Sequence, residues 1–173
     1  SDTALRTNMI YSIEQVVTAF QTSSEDLNDV LQGTFTTAQG EVSLVNDSLT
    51  ELTRINDNLL RAQKGTSNYA QLLDSRDREL AKITQRLDVN VSFGANDSAI
   101  VTYGATTLVQ GNTATPVGVT QNANGTMAFN VNGTAATVPA DGVLGGLFAS
   151  SNVARCGCPS GSGSGSVTSR PAP

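Results

Sequence analysis

Apolar residues recur along the first third of the chain at alternating steps of four and three. They are Ile13, Val17, Phe20, Leu27, Leu31, Phe35, Ala38, Val42, Val45, Leu49, Leu52 and Leu59, with Ser24 in one expected position. That period is the heptad seam of a long helix. Two successive fours between Leu27 and Phe35 form a stutter, which locally unwinds a left-handed supercoil. No proline precedes Pro116. The pattern predicts one helix over residues 4–64, about 90 Å long at 1.5 Å per residue. Gly33 and Gly40 weaken it by about 1 kcal/mol each relative to Ala, and a break near Thr22–Ser24 is the alternative. Acids dominate from Glu25 to Glu51, and Arg54, Arg61 and Lys64 close the helix, which suits its macrodipole.

Gly65 is placed to end this helix, and Ser67 or Asn68 to cap the next. Leu72, Leu73, Leu80, Ile83 and Leu87 keep helical spacing. Val89, Val91 and Phe93 then alternate as in a half-buried strand. The second helix can fold back antiparallel on the first but is too short to cover its seam. The stripe between Ile13 and Val45 therefore needs a partner from outside the chain or an oligomer. Ile13, Val17, Phe20, Leu27, Leu31 and Phe35 are the candidate residues for subunit or partner packing; between Leu49 and Leu59 the seam faces the second helix.

Residues 88–140 read as an antiparallel β-meander. Val89, Val91 and Phe93 should face Tyr103, Val101 and Ala99. A two-residue turn at Gly104-Ala105 sets Leu108 opposite Val101. Asn132-Gly133 sets Phe129 against Ala136 and Met127 against Val138. A bulged three-residue loop at Ala123-Asn124-Gly125 sets Phe129 opposite Val119; a two-residue turn there would mix the faces. The fold class expected is α+β. Residues 1–87 form a helical rod, residues 88–149 a β-rich domain, and residues 150–173 a disordered Gly/Ser tail.

Two motifs carry a resemblance. Leu72-Leu73-Asp74-Ser75-Arg76-Asp77, followed after an amphipathic stretch by Asp88-Val89-Asn90-Val91, is similar to the helix-to-strand junction of the flagellar hook-associated protein 1 family (FlgK). Gly142-Val143-Leu144-Gly145-Gly146-Leu147 resembles the segment with which that family leaves its β region. The resemblance spans roughly residues 5–148. It implies a structural role at the junction for Leu72, Leu73, Asp74, Arg76, Asp77, Asp88, Val89 and Val91. It also implies a non-enzymatic structural protein of the bacterial flagellum, exported through the flagellar secretion channel and extracellular at the hook–filament junction. Its partners would be other copies of itself, the hook protein and the second junction protein. The family's terminal helices, which build the inner tube and bind the export chaperone, are not in this chain. The alternatives are a flagellin-like axial protein and a coiled-coil stalk adhesin with a β head. The Leu72–Asp77 motif speaks for the hook-associated family over flagellin.

Composition narrows the chemistry. Of 173 residues, 15 are acidic and 10 basic, for a net charge of −5, and no basic stripe suits nucleic acid. Residues 89–154 carry only Asp97 and Asp141 as charges. No run approaches the ~20 apolar residues of a membrane span. The chain does not start with Met and has no apolar signal segment, so it reads as a fragment or processed chain. With no His, and with Cys156 and Cys158 alone inside the Gly/Ser segment, neither a zinc site nor a Cys nucleophile is expected. Asp74, Asp77 and Asp88 lie among Arg76, Arg78, Lys82 and Arg86, which suits ion pairs on a solvated helix face better than a catalytic pair. The Asn-x-Ser/Thr sequences at Asn46, Asn90, Asn96, Asn124 and Asn132 are what chance yields in such a composition, and Gly142–Gly146 reads as a turn rather than a phosphate loop. No catalysis, cofactor, metal or small-molecule substrate is expected.

Overall fold

The computed structural model describes residues 2–122 and 125–153. Helix α1 runs unbroken over Asp2–Arg61, straight through Thr22–Ser24. Gly65, at φ 85°, turns the chain. The cap of α2 (Ser67–Arg86) is Thr66 rather than Ser67 or Asn68: its hydroxyl accepts from the Tyr69 N–H at 3.3 Å and donates to the Gln63 carbonyl at 2.8 Å. Ile55 and Leu59 cluster with Tyr69 at one end, while Arg86 reaches Glu41 at the other. The two helices are therefore antiparallel. Helix yields to strand at Leu87, whose backbone is extended while its N–H still bonds the Ile83 carbonyl.

The β region is two sheets, not one meander. Strands β1 (Asn90–Phe93), β2 (Ala99–Tyr103), β3 (Thr106–Gln110) and β4 (Thr113–Ala114) form the first, in sequence order. Strands β5 (Val117–Gln121), β6 (Met127–Val131) and β7 (Thr134–Ala135) form the second. The division falls at Thr115-Pro116. Thr115 N–H still bonds Leu108 of β3, whereas the Pro116 carbonyl already accepts from Asn132 beyond β6. Pro116 has no N–H with which to continue the first ladder.

Register follows the turns where the turns are local. Val91 faces Val101, and Phe93 faces Ala99. Val119 faces Phe129, and Asn122 and Thr126 pair across the three-residue connection that ends at Gly125, at φ 78°; Ala123 and Asn124 lie outside the described residues. Two expectations are corrected. Val101 faces Val109 instead of Leu108, because a bulge shifts the register between Val101 and Thr102. The extra residue lets both Leu108 and Val109 be buried. After Asn132-Gly133 the ladder reaches Phe129 and Ala136 and stops, so Met127 does not pair with Val138; its N–H reaches Asn152 Oδ1.

Gly142–Gly146, expected as a turn, opens helix α3 (Gly142–Val153). Close approach explains two of its glycines. A Cβ at Gly142 would lie 2.8 Å from the Arg86 carbonyl, and one at Gly145 would lie 2.7 Å from the carbonyl carbon of Ala140. Glycine lets α3 butt against the end of α2, which brings Leu144 and Phe148 into the core. Helix thus continues past residue 149; the remainder of the expected tail, with Cys156 and Cys158, lies outside the described residues.

One apolar cluster joins Ala38, Val42, Val45, Leu49 and Leu52 of α1, Leu80 and Ile83 of α2 with Leu87, the inner faces of both sheets, and α3. Tyr103, Phe129 and Phe148 meet edge to face within it, with centroids 5.2 and 6.0 Å apart. The boundary expected at residue 87 is a change of secondary structure, but the core runs across it.

Candidate functional site

Two features stand out: a bare stripe on the first half of α1 and a dense lock at the helix-to-strand junction. In the stripe, Ile13, Val17, Phe20 and Leu27 are exposed, Phe20 at 76%, with Leu5, Met9, Ile10, Val16 and Val30 exposed beside them. The candidate set narrows at its other end. Leu31 is only 3% exposed, and Phe35 packs against the core. Ala38, Val42 and Val45 are buried too, in the cluster that α1 shares with α2, both sheets and α3. Neither Leu31 nor Phe35 is therefore a free packing surface, and the bare part of the stripe ends at Val30.

At the junction, Arg76 is the central peg. It sits on the α2 face that turns toward the β1–β2 connection, buried except for about a tenth of its surface. Its guanidinium donates to the Asp97 carbonyl at 2.6 Å and makes two bonds to Asp77 Oδ1, at 2.9 and 2.7 Å. It also stacks on the Phe93 ring at 4.4 Å. Leu72 and Leu73 pack on Ile55, Leu59 and Tyr69, and Val89 and Val91 on the main core. Asp74 and Asp88 are exposed. The motif thus brings Leu72, Leu73, Arg76 and Asp77 into one locking arrangement and leaves its other two acids outside it. Arg78 donates to Ser75, and Lys82 pairs with Glu79 at 2.7 Å.

The segment locked is a single 3-10 turn, Ala95–Asp97, with Asn96 and Asp97 in the left-handed region at φ 51° and 59°. Asn and Asp tolerate that conformation better than other residues with side chains. Lys64 and the Tyr69 hydroxyl both reach the Asp97 carboxylate, and Asn96 donates to the Leu60 carbonyl at 3.3 Å. The Tyr69 hydrogen bond, then that of Lys64, hold the Asp97 carboxyl below its ordinary range. The same bond to Asp97 raises Tyr69, and Asp97 raises Lys64.

A sign follows for acid. A carboxyl depressed in the fold stabilises fully above its unfolded pKa, near 3.9, and that contribution is lost as pH falls through the lower folded value. Asp97→Asn should thus melt below the parent protein at neutral pH, and the gap between the two should close as pH falls below the ordinary carboxylate range. A constant gap down to pH 2 would show that the carboxylate charge is not what holds the turn.

Residues 1–155 match the family model of the flagellar hook-associated protein FlgK helical domain. The chain belongs to that family. Its fold is similar to that of the flagellar hook junction protein FlgK from Burkholderia pseudomallei, with a TM-score of 0.63 and 21% identity. The match covers 74% of this chain and 25% of that one, so the chain spans about a quarter of that protein's length. No curated protein matches the sequence.

This FlgK-type domain also uses two asparagines outside both motifs. Asn46 and Asn56 of α1 act as surrogate strand partners. Asn46 donates to the Val117 carbonyl and accepts from the Val117 N–H, both at 2.9 Å. Asn56 does the same to Ala99, at 2.8 and 2.7 Å, and also reaches the Gly111 carbonyl at 3.2 Å. In the sequence, Asn46 carries no signal beyond an Asn-x-Ser/Thr triplet. A signal for Asn56 was present: the seam steps from Leu52 to Leu59 through it, so an amide stands where the period asks for an apolar residue. Among the described residues, no group of three or more His, Cys, Asp or Glu side chains gathers as a metal site would require, and no helix is long and apolar enough to cross a membrane.

Proposed function

We propose that this FlgK-family chain is a structural segment of the hook–filament junction. It works by packing against copies of itself and neighbouring axial proteins, the hook protein and second junction protein among them. It acts outside the cell, after export by the flagellar secretion system, and performs no catalysis. The observation that carries this reading is the bare stripe from Leu5 to Val30, on a helix whose other half is held in a closed core. Burying a Val, Leu, Ile or Phe side chain is worth about 1.5–3 kcal/mol. Ile13, Val17, Phe20 and Leu27 together therefore supply enough to drive assembly once a partner covers them. The junction lock supports the same reading, since a subunit that transmits load needs its β body fixed to its rod.

Phe20→Asp is the test. Because Phe20 already faces water, the substitution should leave the melting temperature of the isolated chain within about 2 °C of the parent, as for most surface changes. Self-association, and motility in a complementation assay, should fall sharply. A large loss of monomer stability with assembly intact would show instead that the stripe is covered within its own chain. A stable parallel trimer in solution would favour the stalk-adhesin reading.

A further inference from the structure

The bare half of α1 repeats the layout of its buried half. In the buried half α2 lies antiparallel to α1 on one flank of the seam. On that flank Ile55 packs with Tyr69, Ser48 is buried, and Glu41 meets Arg86. Counted back through the heptads and the stutter, the same flank carries Met9, Val16, Ser23 and Val30. Three of these four are apolar, and all are exposed. The opposite flank, which meets β5 through Asn46, carries Glu14, Gln21 and Asn28 in the bare half. The rod therefore presents the kind of face that α2 covers, with nothing of its own described chain upon it.

A second copy of the rod completes this face when it runs antiparallel, as α2 does. With Val17 set against Phe20 of the second copy, Ile10 falls against Leu27 and Ile13 against Ser24, and each pair occurs twice by symmetry. Met9 then meets Val30 on the apolar flank, and Glu14 meets Gln21 on the polar one. Glu25, Asp26 and Asp29 stay on the far side of the helix, so no like charges are brought together. Neighbouring registers are worse. One heptad shorter sets Glu14 against Glu14 of the second copy, a repulsive pair. One heptad longer drives the first three turns of the second copy onto the part of α1 that is already covered. The intermediate register brings Arg6 level with Leu31, where the cover begins.

We infer that the bare stripe takes a second copy of this chain as its partner, rod against rod, antiparallel and in the register Val17 to Phe20. The inference rests on the packing role proposed above for the stripe and adds the partner, the direction and the register. Such a contact is isologous, using the same patch on both copies, and it closes on itself. Both stripes are covered at once, and no apolar end is left to recruit a third copy.

Cross-linking of the whole chain tests this, in a background carrying Cys156→Ser and Cys158→Ser. Met9→Cys and Val30→Cys are made as separate variants, both at exposed positions, and treated with a short bismaleimide singly and mixed. Cross-links should form in the mixture, between positions 9 and 30, and not within either variant alone. Like positions of an antiparallel pair lie ~30 Å apart along the axis at about 1.5 Å per residue. Sedimentation should show a dimer, and Phe20→Asp should weaken it about a hundredfold or more, because each dimer loses two buried rings. Cross-links within each variant alone, in a dimer that Phe20→Asp still breaks, would overturn the antiparallel pairing while leaving the packing role of the stripe intact. A chain that stays monomeric, yet needs Phe20 for motility in complementation, would overturn the second copy as partner and again spare that role. A monomer whose motility is indifferent to Phe20→Asp would overturn both.

Discussion

Asn56→Ala should destabilise the protein by about 3–5 kcal/mol, because it strands buried backbone groups on two β segments at once. Asn56 is fully buried, and its amide serves the N–H and carbonyl of Ala99 and the carbonyl of Gly111. Each buried group left without a partner costs about 1–3 kcal/mol, and the loss falls mainly at Ala99, since the Gly111 carbonyl is only partly buried. For a domain of this size the melting temperature should fall by about 10 °C or more. Asn46→Ala should cost less, since its bonds to Val117 are only partly buried.

Asn56→Asp separates hydrogen bonding from size. The carboxylate can still accept from Ala99 N–H but sets a negative charge against two carbonyl oxygens, so its pKa in the fold rises. Such a group stabilises below its unfolded pKa, near 3.9, and that contribution is lost as pH rises through the folded value. The variant should be markedly destabilised at pH 7 and move back toward the parent at pH 4. A loss for Asn56→Ala below 1 kcal/mol by denaturant titration would mean that the clamp is dispensable.

The second large effect concerns division of the chain. Residues 88–153 expressed alone should fail to fold, showing a poorly dispersed amide spectrum and no cooperative melting. Ala99, Val101, Leu108, Val109 and Val117 share one core with α1 and α2. Two thin sheets without that support expose most of their apolar face, and the backbone at Ala99 and Val117 loses both asparagines. Residues 1–87 should keep helical circular dichroism, since Ile55, Leu59, Tyr69, Leu72 and Leu73 form a cluster of their own, but should melt broadly. A sharp transition and a dispersed spectrum from residues 88–153 would restore the picture of two independent units.

Several elements were legible without the structure, for local reasons. Helix α1 and its persistence through Thr22–Ser24 follow from an apolar period sustained without proline, and the end of α2 from the switch of period between Leu87 and Val89. The hairpins at Gly104, Gly125 and Gly133 follow from residues that tolerate positive φ, each of which sets the pairing next to its turn. Where an expectation failed, something distant had intervened. Pro116 handed the chain to a second sheet, and a bulge after Val101 buried two neighbouring residues of β3. At Gly142 and Gly145, close backbone approach made room for a helix where the glycines alone suggested a turn.

The seam shows the same division. Its period determined that Ile13 to Leu59 share one face of one helix. Only the tertiary structure decided that the face is bare as far as Val30 and closed beyond it, because α2, both sheets and α3 gather on α1 around one core. Likewise, the sequence determined that an amide interrupts the seam at Asn56. That the amide completes a β strand depends on Ala99, 43 positions later, as Asn46 depends on Val117, 71 positions later. Local pattern settles which face of an element is apolar, through side-chain periodicity and backbone dihedrals. Which backbone groups lack partners, and which distant side chain meets them, is settled only when the elements are packed.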